Sequence, residues 1–233
     1  MTETTPPERS KADLGHAAVK AALGSIPLFG STAAEAFAFF ITPPVERRRG
    51  EWMRQVGEKL DELAEKHEVD LEELQRDESF VDTVMQASHI AMRNSQDEKR
   101  RALANALVNS ALPEAPDAAE RQMYVKLIDD FTAWHLRLLA LFADPTAWFE
   151  RNNVRPPNGL ISSSRADVLK AAYAELKHRR DFCDQVWKDI HAAGLTGVDS
   201  LQGMLTPAGA MQPILSERGL AFLAFVSEPD STA

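Results

Sequence analysis

Residues 21–45, AALGSIPLFGSTAAEAFAFFITPPV, are nearly uncharged in a chain of which 26% is charged. Their single charge is Glu35. The segment ends at Pro43-Pro44 and is followed by Glu46 and the arginines Arg47, Arg48 and Arg49. A helix without a polar face needs an apolar surface to lie against. We therefore interpret this part of the chain as an apolar helical hairpin, covered by the rest of the chain, a sister chain or a bilayer.

The composition is typical of a cytoplasmic globular protein. The 233 residues are 44% hydrophobic, carry a formal net charge of −9 and include one cysteine, Cys183. The acidity argues against a general nucleic-acid binder, which needs basic surface to displace phosphate counterions. A single cysteine excludes a disulfide framework and fits a reducing compartment. No signal peptide or spanning segment is evident, so we expect a cytoplasmic protein, with a peripheral place at the inner membrane as an alternative.

Apolar periodicity predicts a mainly α fold, a helical bundle. We predict a disordered tail, the apolar helical hairpin, an amphipathic helical region and a helical domain, at residues 1–13, 14–45, 46–112 and 117–233. The hairpin breaks at Gly24, Pro27 and Gly30. Its second helix, residues 32–41, begins with a capping box of Thr32 and Glu35 and ends at Pro43-Pro44.

The longer helices are predicted from apolar residues three and four positions apart. The stripe within residues 47–74 is Trp52, Val56, Leu60, Leu63 and His67. One long helix from Asp117 to Phe142 carries Met123, Leu127, Phe131, Trp134, Leu138 and Phe142. Capping boxes at Asp70 with Glu73, Ser95 with Glu98, Asp117 with Glu120 and Ser164 with Asp167 mark helix starts. The last of these helices is expected to run through His178.

The C-terminal residues resemble a winged-helix module. A helix over residues 182–193 precedes Gly194-Leu195, a short β-hairpin is expected within residues 195–215, and a final helix covers residues 216–226. A recognition helix of this kind can enter a DNA groove. Here it carries Asp181, Asp184 and Asp189 against Lys188. That acidity repels phosphates, so we do not expect DNA to be a partner.

No catalytic constellation is evident in the sequence. Cys183 falls on an apolar stripe and is interpreted as a core thiol rather than a nucleophile. Glu175 and His178 form a single E-x-x-H pair, whereas a carboxylate-bridged di-iron site needs two. We therefore predict no catalytic residues, no metal site and no cofactor, and a protein that is not an enzyme.

Two charged segments have alternative interpretations. Arg47, Arg48 and Arg49 directly after an apolar helix suit an anionic membrane surface, where each basic charge adds about 1 kcal/mol. Alternatively, they begin an ordinary helix and pair with neighbouring carboxylates. Residues 57–78 contain ten acidic and three basic residues, which indicates a solvated helical face or a docking face for a basic partner. Residues 32–41 span about 15 Å as a helix and cannot cross a bilayer alone.

The first seventy residues resemble the Abi-alpha family of bacterial abortive-infection proteins. The resemblance rests on a small-residue helix, Ile26-Pro27-Leu28-Phe29-Gly30, an Ala/Phe helix ending at Pro43-Pro44 and the arginine-rich start of an amphipathic helix. It implies a helical body with a wing-like C-terminus. It also implies a non-enzymatic role in phage defence with damage to the host membrane, and no catalytic residues.

From these patterns we expect a non-catalytic interaction or effector protein of bacterial defence. The residues expected to contact a membrane or partner chain are Ile26, Leu28, Phe29, Phe37, Phe39, Phe40, Ile41, Arg47, Arg48 and Arg49. A homo-oligomer, a partner protein or an anionic membrane is the expected partner. The alternatives are a cytosolic oligomeric scaffold that uses the winged helix as an interface and a nucleic-acid-responsive regulator.

Overall fold

The computed structural model describes residues 31–67, 69–157 and 162–229. For residues 31–41, 43 and 67, only the backbone is described. The predicted tail and the first arm of the hairpin lie outside the described residues. So does the predicted capping interaction between the side chains of Thr32 and Glu35.

The described residues are mainly helical, as predicted, and form no β-sheet. Their helices are α1 Ser31–His67, α2 Leu71–Arg76, α3 Glu78–Arg93, α4 Asp97–Ser110, α5 Ala118–Asp130, α6 Ala133–Ala143, α7 Pro145–Arg151, α8 Arg165–Ala172, α9 Arg180–Ala192, α10 Pro207–Ala210 and α11 Glu217–Val226, with a 3₁₀ turn at Ala174–Leu176. The chain divides into two compact units, residues 1–53 and residues 54–233.

Helix α1 does not end at Pro43-Pro44, so that prediction is wrong. The helix runs from Ser31 to His67. A proline lacks one donor and crowds the carbonyl four residues earlier, at a cost of about 3 kcal/mol. A proline therefore kinks a helix, but does not end it, when the turns on both sides keep their backbone hydrogen bonds. Of the predicted stripe on this helix, Trp52 and Leu63 are buried.

The core of the second unit is built around α4. Seven consecutive residues of α4, from Ala102 to Val108, are buried. A helix that is apolar nearly all round belongs inside a bundle. It contacts α3, α5 and α11. Tyr124 of α5 packs edge-on against Phe222 of α11, with ring centroids 5.5 Å apart.

The prediction of a single long helix from Asp117 to Phe142 is wrong, because the helix is interrupted at Phe131 and Thr132. Both residues have extended backbones, with ψ of 148° and 168°. Helix α5 therefore ends at Asp130 and α6 begins at Ala133. The amide N–H of Thr132 is satisfied by Nδ1 of His135 at 3.0 Å. Met123, expected on the buried stripe, is 50% exposed.

The capping predictions have mixed outcomes. Asp70 accepts the N–H of Glu72 at 2.8 Å, and Asp117 accepts that of Glu120 at 2.9 Å. Ser164 and Asp167 form the predicted reciprocal box. The box at Ser95 is wrong, because Gln96 precedes α4 and makes no side-chain cap.

The helix predicted from Ser164 through His178 is also wrong. Helix α8 ends at Ala172, and Tyr173 has an extended backbone with ψ of 95°. A 3₁₀ turn then leads into α9. The separate helix predicted over residues 182–193 is confirmed as α9, which begins two residues earlier.

The β-hairpin expected within residues 195–215 is not confirmed. The described residues contain two isolated antiparallel bridges, Ser163 with Leu205 and Thr196 with Leu215. The short helix α10 lies in the sequence between the bridge residues Leu205 and Leu215. The predicted final helix is confirmed as α11, capped by Ser216, whose side chain accepts the N–H of Gly219 at 3.0 Å.

Gly219 allows the start of α11 to lie directly on the exit of α9. A Cβ at this position would lie 2.1 Å from the carbonyl oxygen of Leu195. Ser216 fixes the same approach, because its N–H donates to Leu195 O at 2.9 Å and its hydroxyl to Gly194 O at 2.8 Å. Only a residue without a side chain fits here.

Gly219→Ala is expected to destabilise the protein by about 1–3 kcal/mol, as overpacking does in a filled core. The measurement is the free energy of unfolding from urea titrations followed by circular dichroism. Gly203→Ala is the matched control, because a Cβ at Gly203 meets no atom within 4 Å. Equal stability of the two variants would contradict the close approach seen here.

Candidate protein-interaction site

None of the seven predicted apolar contact residues has a described side chain. Ile26, Leu28 and Phe29 lie outside the described residues. Phe37, Phe39, Phe40 and Ile41 belong to α1, and their side chains are outside the described part. Their proposed contact with a membrane or partner stays a prediction.

The predicted basic residues lie on one helical segment of α1. Arg47 and Arg49 are exposed, and Arg48 is half-buried. Arg47 Nε lies 3.8 Å from Glu51 Oε1, an exposed pair one turn apart, which contributes little to stability. Met53, four residues after Arg49, is 63% exposed. This segment thus presents cations and an apolar side chain together.

The candidate nucleophile is placed in the core. Cys183 is buried on α9, and Val186, Trp187 and Ile190 of the same helix are buried too. Burial, reinforced by the nearby Asp184 carboxylate, raises the pKa of the Cys183 thiol. A buried thiol with a raised pKa is a poor nucleophile.

The residues considered for metal binding do not converge. Glu175 lies in the 3₁₀ turn and His178 in the bend that follows it, and both are exposed. Within residues 31–67, 69–157 and 162–229, His, Cys, Asp and Glu form no group of three that could hold a metal ion. Among those residues, none of the helices has the length and apolarity needed to cross a bilayer.

Three open hollows of the second unit are neighbours, and we call them together the acidic trough. The first has a volume of about 510 Å³ and is lined by Leu74, Leu112 and acidic residues of the α2 region. The second, about 340 Å³, shares Leu112 and extends along Phe225 of α11. The third, about 480 Å³, shares Glu228 and Pro229 with the second and lies along α1. The shared lining residues make the three hollows neighbours on the surface. Sequence periodicity did not indicate this groove.

The trough combines apolar lining with an excess of negative charge. Its apolar residues include Val69, Leu74, Leu112, Pro113, Pro116, Phe225 and Pro229. Its acidic residues are Glu58, Glu62, Asp70, Glu73, Asp77, Glu114 and Glu228, and its basic residues are Lys59 and Lys66. An amphipathic cation is the ligand that such a lining complements.

Some of these carboxylates have structural partners, and three do not. Asp70 and Asp77 cap the starts of α2 and α3. Glu58 pairs with Arg54 at 2.8 Å, and Lys59 with Glu228 at 3.5 Å. The exposed carboxylates of Glu62, Glu73 and Glu114 form no ion pair within the residues that the structure describes. They are the charges most accessible to a cationic partner.

The trough is held in place by amide side chains of α4. Asn109 Nδ2 donates to the carbonyl oxygens of Phe225 and Ser227, both at 2.8 Å. Asn105 Nδ2 donates to Val226 O at 3.0 Å. These bonds satisfy carbonyls at the C-terminal end of α11, which have no partner within the helix. They fix α11 beside α4, where the second hollow lies.

A buried histidine connects the α5–α6 break to α9. His135 is 4% exposed and stacks on Phe131, with ring centroids 4.5 Å apart. Its Nδ1 accepts the N–H of Thr132, so the neutral ring carries its proton on Nε2, which lies 3.3 Å from Asp189 Oδ2. Burial lowers the pKa of His135, against the opposing attraction of Asp189. This contact links α6 to α9.

Two acidic residues of α9, Asp184 and Asp189, are engaged within the protein. Asp184 accepts a hydrogen bond from Gln202 at 2.9 Å and lies 3.6 Å from Arg180. Asp189 accepts from Gln185 at 2.8 Å and faces His135. These two carboxylates connect α9 to α6 and to the loop that carries Gln202.

Comparison of the chain with protein-family models, curated proteins and solved structures gives no match. The resemblance to Abi-alpha proteins therefore stays a prediction from the N-terminal residues.

Protonation of His135 is expected to destabilise the protein in mild acid. Because the folded-state pKa lies below the unfolded value of about 6.5, the unfolded chain binds the proton more readily. The stability that neutral His135 contributes is complete above that pH and is lost as the pH falls through the folded-state pKa. Urea titrations between about pH 5 and pH 8 should show a smaller pH dependence for His135→Gln than for the wild type. The control His89→Gln changes an exposed site and should leave the pH dependence of stability as in the wild type. An equal effect of the two substitutions would contradict the assignment of this pH dependence to His135.

Proposed function

We propose that this chain is a non-catalytic interaction protein whose acidic trough receives a basic, partly apolar segment of a partner protein. The observation that carries the proposal is the presence of three neighbouring open hollows that together have an apolar lining and seven carboxylates. A groove of this kind suits an amphipathic helix laid into it, with apolar anchors at helical spacing.

The two components of the trough would act at different stages of binding. The carboxylates attract a cationic segment over a distance and speed its encounter, an effect that salt screens. The half-buried apolar lining, including Leu74 and Leu112, contributes about 25 cal/mol for each Å² removed from water. Binding should therefore weaken at high salt without disappearing.

The interaction role is supported over a catalytic one by the state of the candidate reactive groups. Cys183 is buried with a raised pKa. His135 is occupied by Thr132 and Asp189. Neither group lines the acidic trough.

The biological setting that we propose is bacterial defence, and it rests on the N-terminal resemblance to Abi-alpha proteins. A second candidate function, contact with an anionic membrane, is favoured by the exposed Arg47 and Arg49. The oligomeric scaffold built on the winged helix stays an alternative. The nucleic-acid-responsive regulator is disfavoured by the carboxylates of α9.

Reversing the unpaired trough charges is expected to weaken the binding of a cationic amphipathic peptide. The probe is a fluorescein-labelled synthetic helix with arginine and leucine at positions three and four apart, titrated by fluorescence anisotropy. The variant Glu62→Lys/Glu73→Lys/Glu114→Lys should raise its Kd by roughly tenfold or more.

The matched control is Asp82→Lys/Glu150→Lys/Asp199→Lys, which changes the net charge equally at exposed sites outside the trough. It should change the Kd by less than about threefold, because long-range screening weakens distant charges. Equal weakening by the two variants would show non-specific attraction and contradict the trough assignment.

The membrane candidate is tested by flotation with vesicles containing phosphatidylglycerol. Because each basic charge near an anionic surface contributes about 1 kcal/mol, Arg47→Glu/Arg48→Glu/Arg49→Glu should lose most of the bound fraction at low salt. The control Lys177→Glu/Arg179→Glu/Arg180→Glu makes the same charge change elsewhere and should still float. Absence of wild-type binding would remove this candidate.

A further inference from the structure

We infer that the second unit carries another docking surface, a row of half-buried aromatic rings with cations beside it, which receives an acidic, partly apolar segment of a partner protein. None of its residues lines the acidic trough. The rings, which we call the aromatic row, are in order Trp148, Tyr173, Trp134 and Phe182.

The rings of the aromatic row touch one another in sequence. The ring centroid of Trp134 on α6 lies 5.3 Å from that of Tyr173 and 6.4 Å from that of Phe182 on α9. Tyr173 in turn lies 5.3 Å from Trp148 on α7. All four rings are half-buried, so each keeps part of its surface accessible. Rings oriented by such contacts offer contact area at a low cost in conformational entropy.

Two arginines lie on the faces of these rings. The guanidinium carbon of Arg179 is 3.9 Å from the ring centroid of Phe182, and that of Arg137 is 4.7 Å from the ring of Trp134. A guanidinium that stacks by its face keeps the N–H groups at its edge for a carboxylate. Arg137 already uses them on Glu98. Arg179 forms no ion pair within the part of the chain that the structure describes, so it is an oriented and available cation.

Further positive charge lies around the aromatic row. Residues 145–180 contain seven lysines and arginines against three acidic residues, in a chain with a formal net charge of −9. Arg151 is exposed and follows Trp148 by three residues, on the same side of α7. Lys177 is exposed and lies two residues before Arg179. Neither Arg151 nor Lys177 forms an ion pair among the described residues. Such a local positive field attracts acidic ligands.

The composition of this surface is that of a protein-binding site. Tryptophan, tyrosine and arginine are the residues most enriched among those that dominate the energy of protein interfaces. Here they lie together and partly exposed. The complementary segment has carboxylates for the cations and an apolar side chain for the rings.

A nucleic acid fits this surface less well than an acidic peptide. The exposed carboxylates of Glu175 and Asp181 lie in the sequence on either side of Lys177 and Arg179. A strand with a phosphate at every nucleotide would meet these carboxylates as well as the cations. A peptide can place its own carboxylates opposite the cations and neutral residues opposite Glu175 and Asp181.

The experiment is titration of a fluorescein-labelled synthetic helix, with glutamate and leucine at positions three and four apart, by the full chain. Fluorescence anisotropy should show binding at low salt that weakens as salt screens the charges. Trp134 and Trp148 are half-buried, whereas Trp52 and Trp187 are each 1% exposed. The bound peptide should therefore protect tryptophan fluorescence from quenching by acrylamide.

Two variants separate the contribution of the cations from that of the rings. Arg151→Glu/Lys177→Glu/Arg179→Glu should raise the Kd of the acidic peptide by roughly tenfold or more. Phe182→Leu keeps an apolar side chain but removes the ring beneath Arg179. It should raise the Kd by roughly threefold and leave its salt dependence unchanged. Circular dichroism checks that both variants are folded.

The matched control is Arg76→Glu/Lys126→Glu/Arg218→Glu, which makes the same charge change at exposed sites outside the aromatic row. It should change the Kd by less than about threefold. A wild type that does not bind the acidic peptide, or equal weakening by the control and the first variant, would overturn the inference. Tighter binding of a single-stranded oligothymidylate than of the peptide would overturn it too and assign the surface to nucleic acid. Failure of the cationic peptide to bind the trough leaves the inference standing, because the two probes report on different surfaces.

Discussion

The burial of α4 on every side is the constraint on which the second unit depends. Its residues from Ala102 to Val108 have no solvent face, so each polar group that α4 carries inward needs a partner. Lys99 donates to the carbonyl of Asp129 at 2.9 Å, Asn105 to that of Val226 and Asn109 to that of Phe225. A buried central helix thereby fixes the ends of its neighbours α5 and α11.

This constraint also places the acidic trough. The trough runs past Asn109 at the end of α4, along α11 and into the region of α2. Because the amides of α4 hold the end of α11, the wall at Phe225 is part of the core. The carboxylates of Glu62, Glu73 and Glu114, by contrast, are exposed, where changes of charge cost little stability. Exposed charges beside a wall that is fixed by core contacts are a favourable arrangement for recognition.

Local patterns predicted the helices well where local interactions determine them, and failed where tertiary contacts do. The spacing of apolar residues from Leu127 through Trp134 to Leu138 continues across Phe131, so periodicity could not reveal the break there. The first turn of α4 holds both sides of it, through Lys99 on Asp129 O and through Gln96, which accepts the N–H of Ala133 at 3.2 Å. The trough was missed for the same reason, since it joins residues as distant as Gln55 and Pro229. Only the acidity of residues 57–78 indicated a docking face for a basic partner.

The carboxylates around the trough differ in what explains their presence. Asp70 and Asp77 stabilise helix starts, where the dipole favours an anion. Glu73 also lies in the first turn of α2, whereas Glu62 and Glu114 have no such role in the described part of the chain, and like charges placed near one another oppose the compact state. A bound cationic segment would relieve that repulsion, so binding and folding stability should be coupled. Charges that the fold does not need and that a basic ligand would neutralise are better explained by recognition than by folding.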